Sequence, residues 1–358
     1  MITSENTNMQ LYSPVSYANI TLPTRIIRSA TELFSSEPDG SVSEFEIEHY
    51  RTLATQPYGM VITGHSCVMA EGRTNLGQNA VWDDCFMDGQ KKLCDIIHSS
   101  PFGTKIVLQL GHGGAKAKGF DGHRIMSPDN MTAEDFESVT AHFVSAAVRA
   151  KSAGFDGVQI HGAHGYLLSE MFYPEYNHRI DEYGGSAENR FRLIMEIAAT
   201  IKAVCGEDFP VFLKLNATDR PLTDVMPCSE QYHNDLMTAV RLCGEVGIEA
   251  LELSGYHSSP KGNDFKRPYF IRELMRLCGG SPVPVILVGG IRSAECASEA
   301  FDFGASAVSL CRPVLCEPDF PSRIGFGAVS KCVSCNSCFG DLSAGRVIRC
   351  HREDGISQ

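Results

Sequence analysis

An α/β chain folded as a (β/α)8 TIM barrel, with a short C-terminal cysteine-bearing tail, is the architecture this sequence predicts. Three observations carry it. Short apolar runs rich in β-branched residues recur along all 358 residues, a helical pattern follows each run, and the runs are apolar on both faces. Strands with two apolar faces belong to a parallel sheet covered by helices. Eight such alternations point to a closed barrel. The competing doubly wound sheet lacks the G-x-G-x-x-G turn expected after its first strand.

In chain order the expected strands are Arg25–Ser29, Met60–Thr63, Lys105–Leu110, Gly157–His161, Val211–Leu215, Ala250–Leu253, Val283–Val288 and Ala307–Leu310. Between them, helical patterns cover Glu44–Ala54, Ala187–Val204, Gln231–Val246, Phe270–Cys278 and Ala294–Phe303. The clearest helix starts at Thr132, which forms a capping box with Asp135. It then sets Phe136, Val139, Phe143, Ala147 and Ala150 on one stripe. No linker interrupts the pattern, so residues 1–329 read as one barrel and residues 330–358 as a cysteine-rich tail packed on it.

Composition narrows the function classes. Hydrophobic residues make up 43% of the chain, enough for one large core. A formal charge of −12 repels phosphate backbones and anionic lipid, which argues against nucleic acid and membrane partners. No apolar stretch approaches the ~20 residues that span a bilayer. The opening MITSENTNMQLYSPV has no basic segment followed by an apolar run, so a cytoplasmic location is expected.

Fourteen cysteines are many for such a chain, and ten are scattered, several in apolar contexts that suit reduced thiols. The other four, Cys332, Cys335, Cys338 and Cys350, form C-x2-C-x2-C-x11-C. Four thiolates so spaced can enclose a [4Fe–4S] cluster or hold zinc, or the motif can stand empty. All three readings remain open at this point.

The segment AGFDGVQIHGAHGYLLSEMFYPEYNHRIDEYGGSAENR, from Ala153 to Arg190, resembles the Old Yellow Enzyme family of NAD(P)H:flavin oxidoreductases. The resemblance continues in QLGHGG (Gln109–Gly114), VGGI (Val288–Ile291) and CRPVLCEPDFP (Cys311–Pro321), and so covers nearly the whole chain. It implies FMN at the carboxyl ends of the strands, where barrel active sites sit. The implied reaction passes hydride from NAD(P)H, by way of FMN, to an α,β-unsaturated carbonyl compound or related small-molecule acceptor. In that family the histidines matching His161 and His164 grip the substrate carbonyl oxygen, and the residue matching Tyr166 supplies a proton. The chemistry suits those residue types. Imidazole N–H groups stabilise charge developing on oxygen, and a phenol with a pKa near ~10 carries its proton at neutral pH. A lone H-x-x-H is more often a satisfied pair, but placement at a strand end favours chemistry.

The resemblance also assigns a flavin site. Gly289, Gly290, Cys311 and Arg312 match the phosphate cradle, Gln109 the partner of the pyrimidine ring, and Lys214 a cation usually supplied by arginine. Ser29, Ala30, Thr31 and Gly64 match the backbone beside the ring system. A lysine within VFLKL is costly to bury alone, which favours a function for it. Three residues depart from the family pattern: Glu32 in place of threonine or cysteine, His65 in place of alanine, and Cys311 in place of glycine. The tail resembles the [4Fe–4S] ligands of the 2,4-dienoyl-CoA reductase and trimethylamine dehydrogenase group. In that group the cluster feeds an FAD-containing portion of the chain. The resemblance therefore implies an alternative, an FMN/iron–sulfur dehydrogenase or dienoyl reductase half that relies on a separate electron-transfer partner protein.

Overall fold

The computed structural model describes residues 9–219, 228–256, 268–343 and 346–351, so part of the expected tail (residues 344–345 and 352–358) and the first eight residues lie outside it. Eight strands form the barrel: β1 (Ile26–Arg28), β2 (Met60–Ile62), β3 (Lys105–Gly111), β4 (Gly157–Gly162), β5 (Val211–Asn216), β6 (Leu251–Ser254), β7 (Val285–Val288) and β8 (Ala307–Leu310). Every neighbouring pair is parallel. The sheet closes because β8 returns to β1, with Ser309 beside Ile27. A two-residue strand, Ser66–Cys67, is appended to the top of β3.

Helices α1 (Glu44–Ala54), α2 (Met87–His98), α3 (Ala133–Ala153), α4 (Ala187–Cys205), α5 (Glu230–Glu245), α6 (Ile271–Cys278) and α7 (Ala294–Asp302) follow strands β1 to β7 in turn. The capping box expected for α3 is present: Asp135 N–H donates to Thr132 Oγ1, and Thr132 N–H donates to the Asp135 carboxylate. All five stripe residues of α3 are buried. Strand ends fall within two residues of expectation. The largest offset, at β7, has a cause: Pro284 offers no amide, so the ladder starts at Val285.

Alternate strand residues face opposite sides, which divides the core in two. Ile26, Val61, Leu108, Val158 and Leu213 face the helices. Ile27, Met60, Val107, Phe212, Ala250, Ile286 and Ala307 fill the lower barrel. A hairpin of Val15–Ser16 with Thr21–Leu22 closes the bottom, adding Val15, Tyr17, Ile20 and Leu22 to that inner cluster. One step higher the inward residues turn polar: Ser29, Gln109, Gln159, Lys214, Glu252 and Ser309, all buried. Among the described residues no helix is long and apolar enough to cross a membrane.

Candidate active site

One tight turn assembles the three expected catalytic side chains. His161 lies near the end of β4, and the chain then reverses through His164 and Gly165, both left-handed with φ of 64° and 68°. That conformation is uncommon for a residue other than glycine, and several bonds hold it. His164 N–H donates to Asn216 Oδ1 at 3.0 Å, Gly165 N–H to Ser169 Oγ at 3.1 Å, and Lys116 Nζ to the His164 carbonyl at 2.5 Å. The His164 ring is fixed by Ser254 Oγ, 2.8 Å from Nε2. Tyr166 precedes the short helix Leu167–Phe172 in an extended conformation. The outcome is a cluster in which the His161 ring centroid is 5.1 Å from those of both His164 and Tyr166.

His65 completes this cluster, its ring 4.8 Å from Tyr166 and 5.8 Å from His161. Burial, with His164 and His65 nearby, holds His161 well below the usual histidine range, so it is neutral at pH 7. Burial likewise pushes His65 down to about 3. His161 Nδ1 and His65 Nε2 are buried without hydrogen-bond partners. Unsatisfied polar atoms of this kind are costly inside a protein and mark places where a ligand completes the bonding. Burial raises the Tyr166 phenol further, so it keeps its proton. Glu32 Oε2 stands 3.7 Å from His65 Nδ1, and burial pushes that carboxyl up to about 8.

Beneath the trio runs a chain of buried polar groups. Gln109 Nε2 donates to Gln159 Oε1 at 2.7 Å, and Gln159 Nε2 to Glu252 Oε2 at 3.0 Å. Lys214 Nζ donates to Ser29 Oγ at 2.9 Å and pairs with Glu252 Oε2 at 3.1 Å. Burial alone would raise Glu252, but Lys214 together with the polar neighbours Ser309, Ser29 and Gln159 holds the carboxyl below its ordinary value. Lys214 is thus buried with a carboxylate partner, Glu252, which the sequence reading did not name. Glu252 and Gln159 escaped the sequence reading, although each is a polar residue at an inward position of an otherwise apolar strand segment.

The expected phosphate residues line one open cleft of about 360 Å³. Gly289 and Gly290 are left-handed, with φ of 120° and 75°, which a side chain at either position would oppose. Arg312, buried at the start of a short helix, bonds to Asn336 and, at 3.4 Å, to Tyr269 Oη. Arg292 lines the same cleft, with a buried Nε that has no partner. Thr31 Oγ1 donates to Cys311 Sγ at 3.2 Å, tying the β1 loop to this corner. A left-handed glycine pair, two arginines and an orphaned guanidinium nitrogen fit the phosphate of FMN, and the polar layer beside them fits its ring edge.

The tail packs on the barrel top. Ser330 N–H donates to Arg292 O at 2.8 Å and Ile348 N–H to Leu33 O at 3.0 Å. Cys332 and Ser334 line the phosphate cleft. Left-handed Ser334 and Asn336 turn the chain between the cysteines. Burial pushes Cys338 up to about 12, with Cys311, Cys332 and Cys335 around it. Cys316 is pushed up to about 12 by burial and by its bond to Cys350. Six thiols thus gather in one corner. Among the described residues, no three His, Cys, Asp or Glu side chains stand close enough to hold a single metal ion.

Known proteins agree with this architecture. The family model for the NADH:flavin oxidoreductase / NADH oxidase family matches residues 10–329. NADPH dehydrogenase of Bacillus cytotoxicus is 31% identical over 341 residues, covering 89% of this chain and 94% of that protein. Among solved structures, a 2-naphthoyl-CoA reductase complex superposes with a TM-score of 0.85 at 23% identity over 96% of this chain, which spans only 56% of that chain. The old yellow enzyme homologue from Zymomonas mobilis gives a TM-score of 0.75 at 24% identity, covering 88% of this chain and 92% of that one. Morphinone reductase gives 0.76 at 22%, covering 90% and 91%. At these identities the structural matches speak for the fold, and the family match bears out the resemblance read from the sequence. This chain belongs to the NADH:flavin oxidoreductase / NADH oxidase family and is an FMN-dependent oxidoreductase that uses a nicotinamide coenzyme.

Proposed function

We propose that this enzyme reduces the carbon–carbon double bond of an α,β-unsaturated carbonyl compound, with NAD(P)H as the electron source, in the cytoplasm. The observation that carries this reading is the cluster of His161, His164 and Tyr166 above the buried polar layer. FMN, when bound, supplies the hydride that passes from coenzyme to substrate. Gly289, Gly290, Cys311 and Arg312 hold its phosphate, Gln109 and Lys214 meet the pyrimidine edge, and Ser29, Ala30, Thr31 and Gly64 lie along the ring. His161 and His164 orient the substrate carbonyl and stabilise negative charge on its oxygen. Tyr166 holds the proton destined for the α-carbon.

The test is stopped-flow reoxidation of the reduced enzyme by cyclohex-2-enone. Tyr166→Phe is expected to slow this step about 10²–10⁴-fold, the usual worth of a positioned acid, with FMN content unchanged in the visible spectrum. A Tyr166→Phe rate equal to wild type removes the tyrosine from that role.

A second reading rests on the tail (residues 330–358, taken as a unit appended to the barrel of residues 1–329). Cys332 borders the phosphate cleft and Cys338 neighbours Cys311. A [4Fe–4S] cluster on Cys332, Cys335, Cys338 and Cys350 would stand beside the flavin and exchange electrons with a separate partner protein. Iron and acid-labile sulfide in anaerobically purified protein, lost in Cys335→Ser, test it. A preparation that contains neither iron nor sulfide excludes the cluster.

A further inference from the structure

Glu32 stands between the histidine–tyrosine cluster and a small cavity. The cavity, with about 20 Å³ of room for a water molecule, lies between the ends of β1 and β2 and helix α1, lined among others by Arg28, Glu32, Glu46, His49 and Tyr50. It is polar and roomy enough to hold water. Arg28 is only 2% exposed, its Nε has no hydrogen-bond partner, and no carboxylate among the described residues lies within ion-pair distance of it. His49, half-buried on α1, also lines this cavity.

The Glu32 carboxyl is held in place. Oε1 accepts the Phe34 N–H at 2.9 Å, and Phe34 adopts a left-handed φ of 52° in that turn. A Cβ on Gly64 would come within 2.7 Å of Oε2, so the glycine keeps that oxygen's place open. Oε2 has no hydrogen-bond partner and points toward His65 Nδ1. On its other side the His65 ring lies against Tyr166, with Nε2 unpartnered.

We propose that Glu32 and His65 form a relay that returns a proton from solvent, through the side cavity, to Tyr166 after each turnover. The proposal rests on the reading of Tyr166 as proton donor. The steps balance. The Tyr166 O–H bond breaks as the α-carbon gains C–H, while hydride arrives at the β-carbon. His65 gives its Nε2–H proton to the phenolate, Glu32 gives its O–H proton to His65 Nδ1, water in the cavity reprotonates Glu32, and a flip of the His65 ring restores the donating tautomer. One solvent proton and one coenzyme hydride are consumed per double bond.

The groups around Glu32 suit this task. Glu46 and Tyr50 face it from α1 along with His49, Arg28 from β1, His65 from the end of β2, Tyr166 from the β4 turn, and Lys116 lies against His65 and the Tyr166 ring. Burial first, then Glu46, keeps Glu32 protonated up to about 8, despite the Phe34 amide. An acid with that pKa is loaded at neutral pH and can still release its proton.

The experiment measures steady-state turnover of holoenzyme with saturating NADPH and cyclohex-2-enone across pH for wild type, Glu32→Gln, His65→Asn and the double variant, because a reload step shows only beyond the first turnover. FMN content by absorbance serves as the check on folding. Each single variant is expected to lose about tenfold or more, and the wild-type fall in rate above about pH 8 is expected to vanish in Glu32→Gln. Formate should restore part of the Glu32→Gln rate. The double variant should be no slower than the slower single one, because the two act in series. Wild-type rates and pH profiles in both single variants, alongside a slow Tyr166→Phe, overturn the relay but leave the donor. A Tyr166→Phe enzyme as fast as wild type removes the donor, and the relay with it.

Discussion

Two buried lysine–glutamate pairs, one at each end of the barrel, show how the same chemistry serves two purposes. At the bottom, Lys202 Nζ lies 3.1 Å from Glu249 Oε1, with side-chain exposures of 5% and 1%. Every obvious valence there is used by the protein. Lys202 also donates to Glu207 O at 3.0 Å, and Glu249 accepts from Asn19 Nδ2 at 2.6 Å and Asn19 N–H at 3.2 Å. Asn19 sits in the turn of the closing hairpin, so the pair clasps the barrel floor. At the top, Lys214 and Glu252 are equally close at 3.1 Å and still more buried, at 2% and 0%. There Glu252 Oε1 and its neighbour Ser309 Oγ have no hydrogen-bond partners. Spare hydrogen-bonding capacity in a buried site is costly, and of these two pairs only the upper one, at the end where barrel ligands bind, carries it. The lower pair is closed for stability; the upper pair is left open for a ligand.

This contrast can be broken experimentally. Lys202→Met strips the partner from a closed pair and should cost about 3–5 kcal/mol, as removal of one member of a buried pair does. Urea unfolding measures it, and the folded fraction should still bind one FMN. Lys214→Met inflicts the same change above. Its main effect should be on the ligand, with FMN affinity weaker by about tenfold, roughly 1.4 kcal/mol, while Lys214→Arg keeps most of it. If Lys202→Met lost FMN as readily as Lys214→Met, the division of labour would be wrong. The smallest effect concerns pH. Glu32 is protonated in the folded protein up to about 8 but ionises lower, near its ordinary 4.5, when unfolded. The unfolded chain therefore binds fewer protons in this window, and stability should fall as pH rises from about 5 to 8. Glu32→Gln should flatten that slope in thermal melts, and an unchanged slope would count against the buried acid.

The barrel was legible because each strand is a short apolar run and most helices carry strong stripes or caps. What escaped has physical reasons. Helix α2, Met87–His98, buries Gln90 beside Leu93, Cys94 and Ile97, which blurs its apolar face. The closing hairpin has two residues per strand, too few for alternation to show. The site was legible where a motif placed several groups on one turn, as at His161, His164 and Tyr166. Partners supplied by other strands were not: Glu252 for Lys214, Ser254 and Asn216 for His164, and Asn336 from the tail for Arg312. Such pairs join positions far apart in sequence, and only barrel closure brings them together. Glu32 and His65 stood out as departures from a family pattern, but their proximity to each other and to Tyr166 emerged only in three dimensions.

The most direct test of the account is the visible absorption spectrum of protein purified without oxygen, recorded before and after addition of NADPH or NADH. The account predicts flavin bands that bleach with the coenzyme and return on addition of an enone. A protein that carries no flavin, and takes up none when FMN is added, would contradict it.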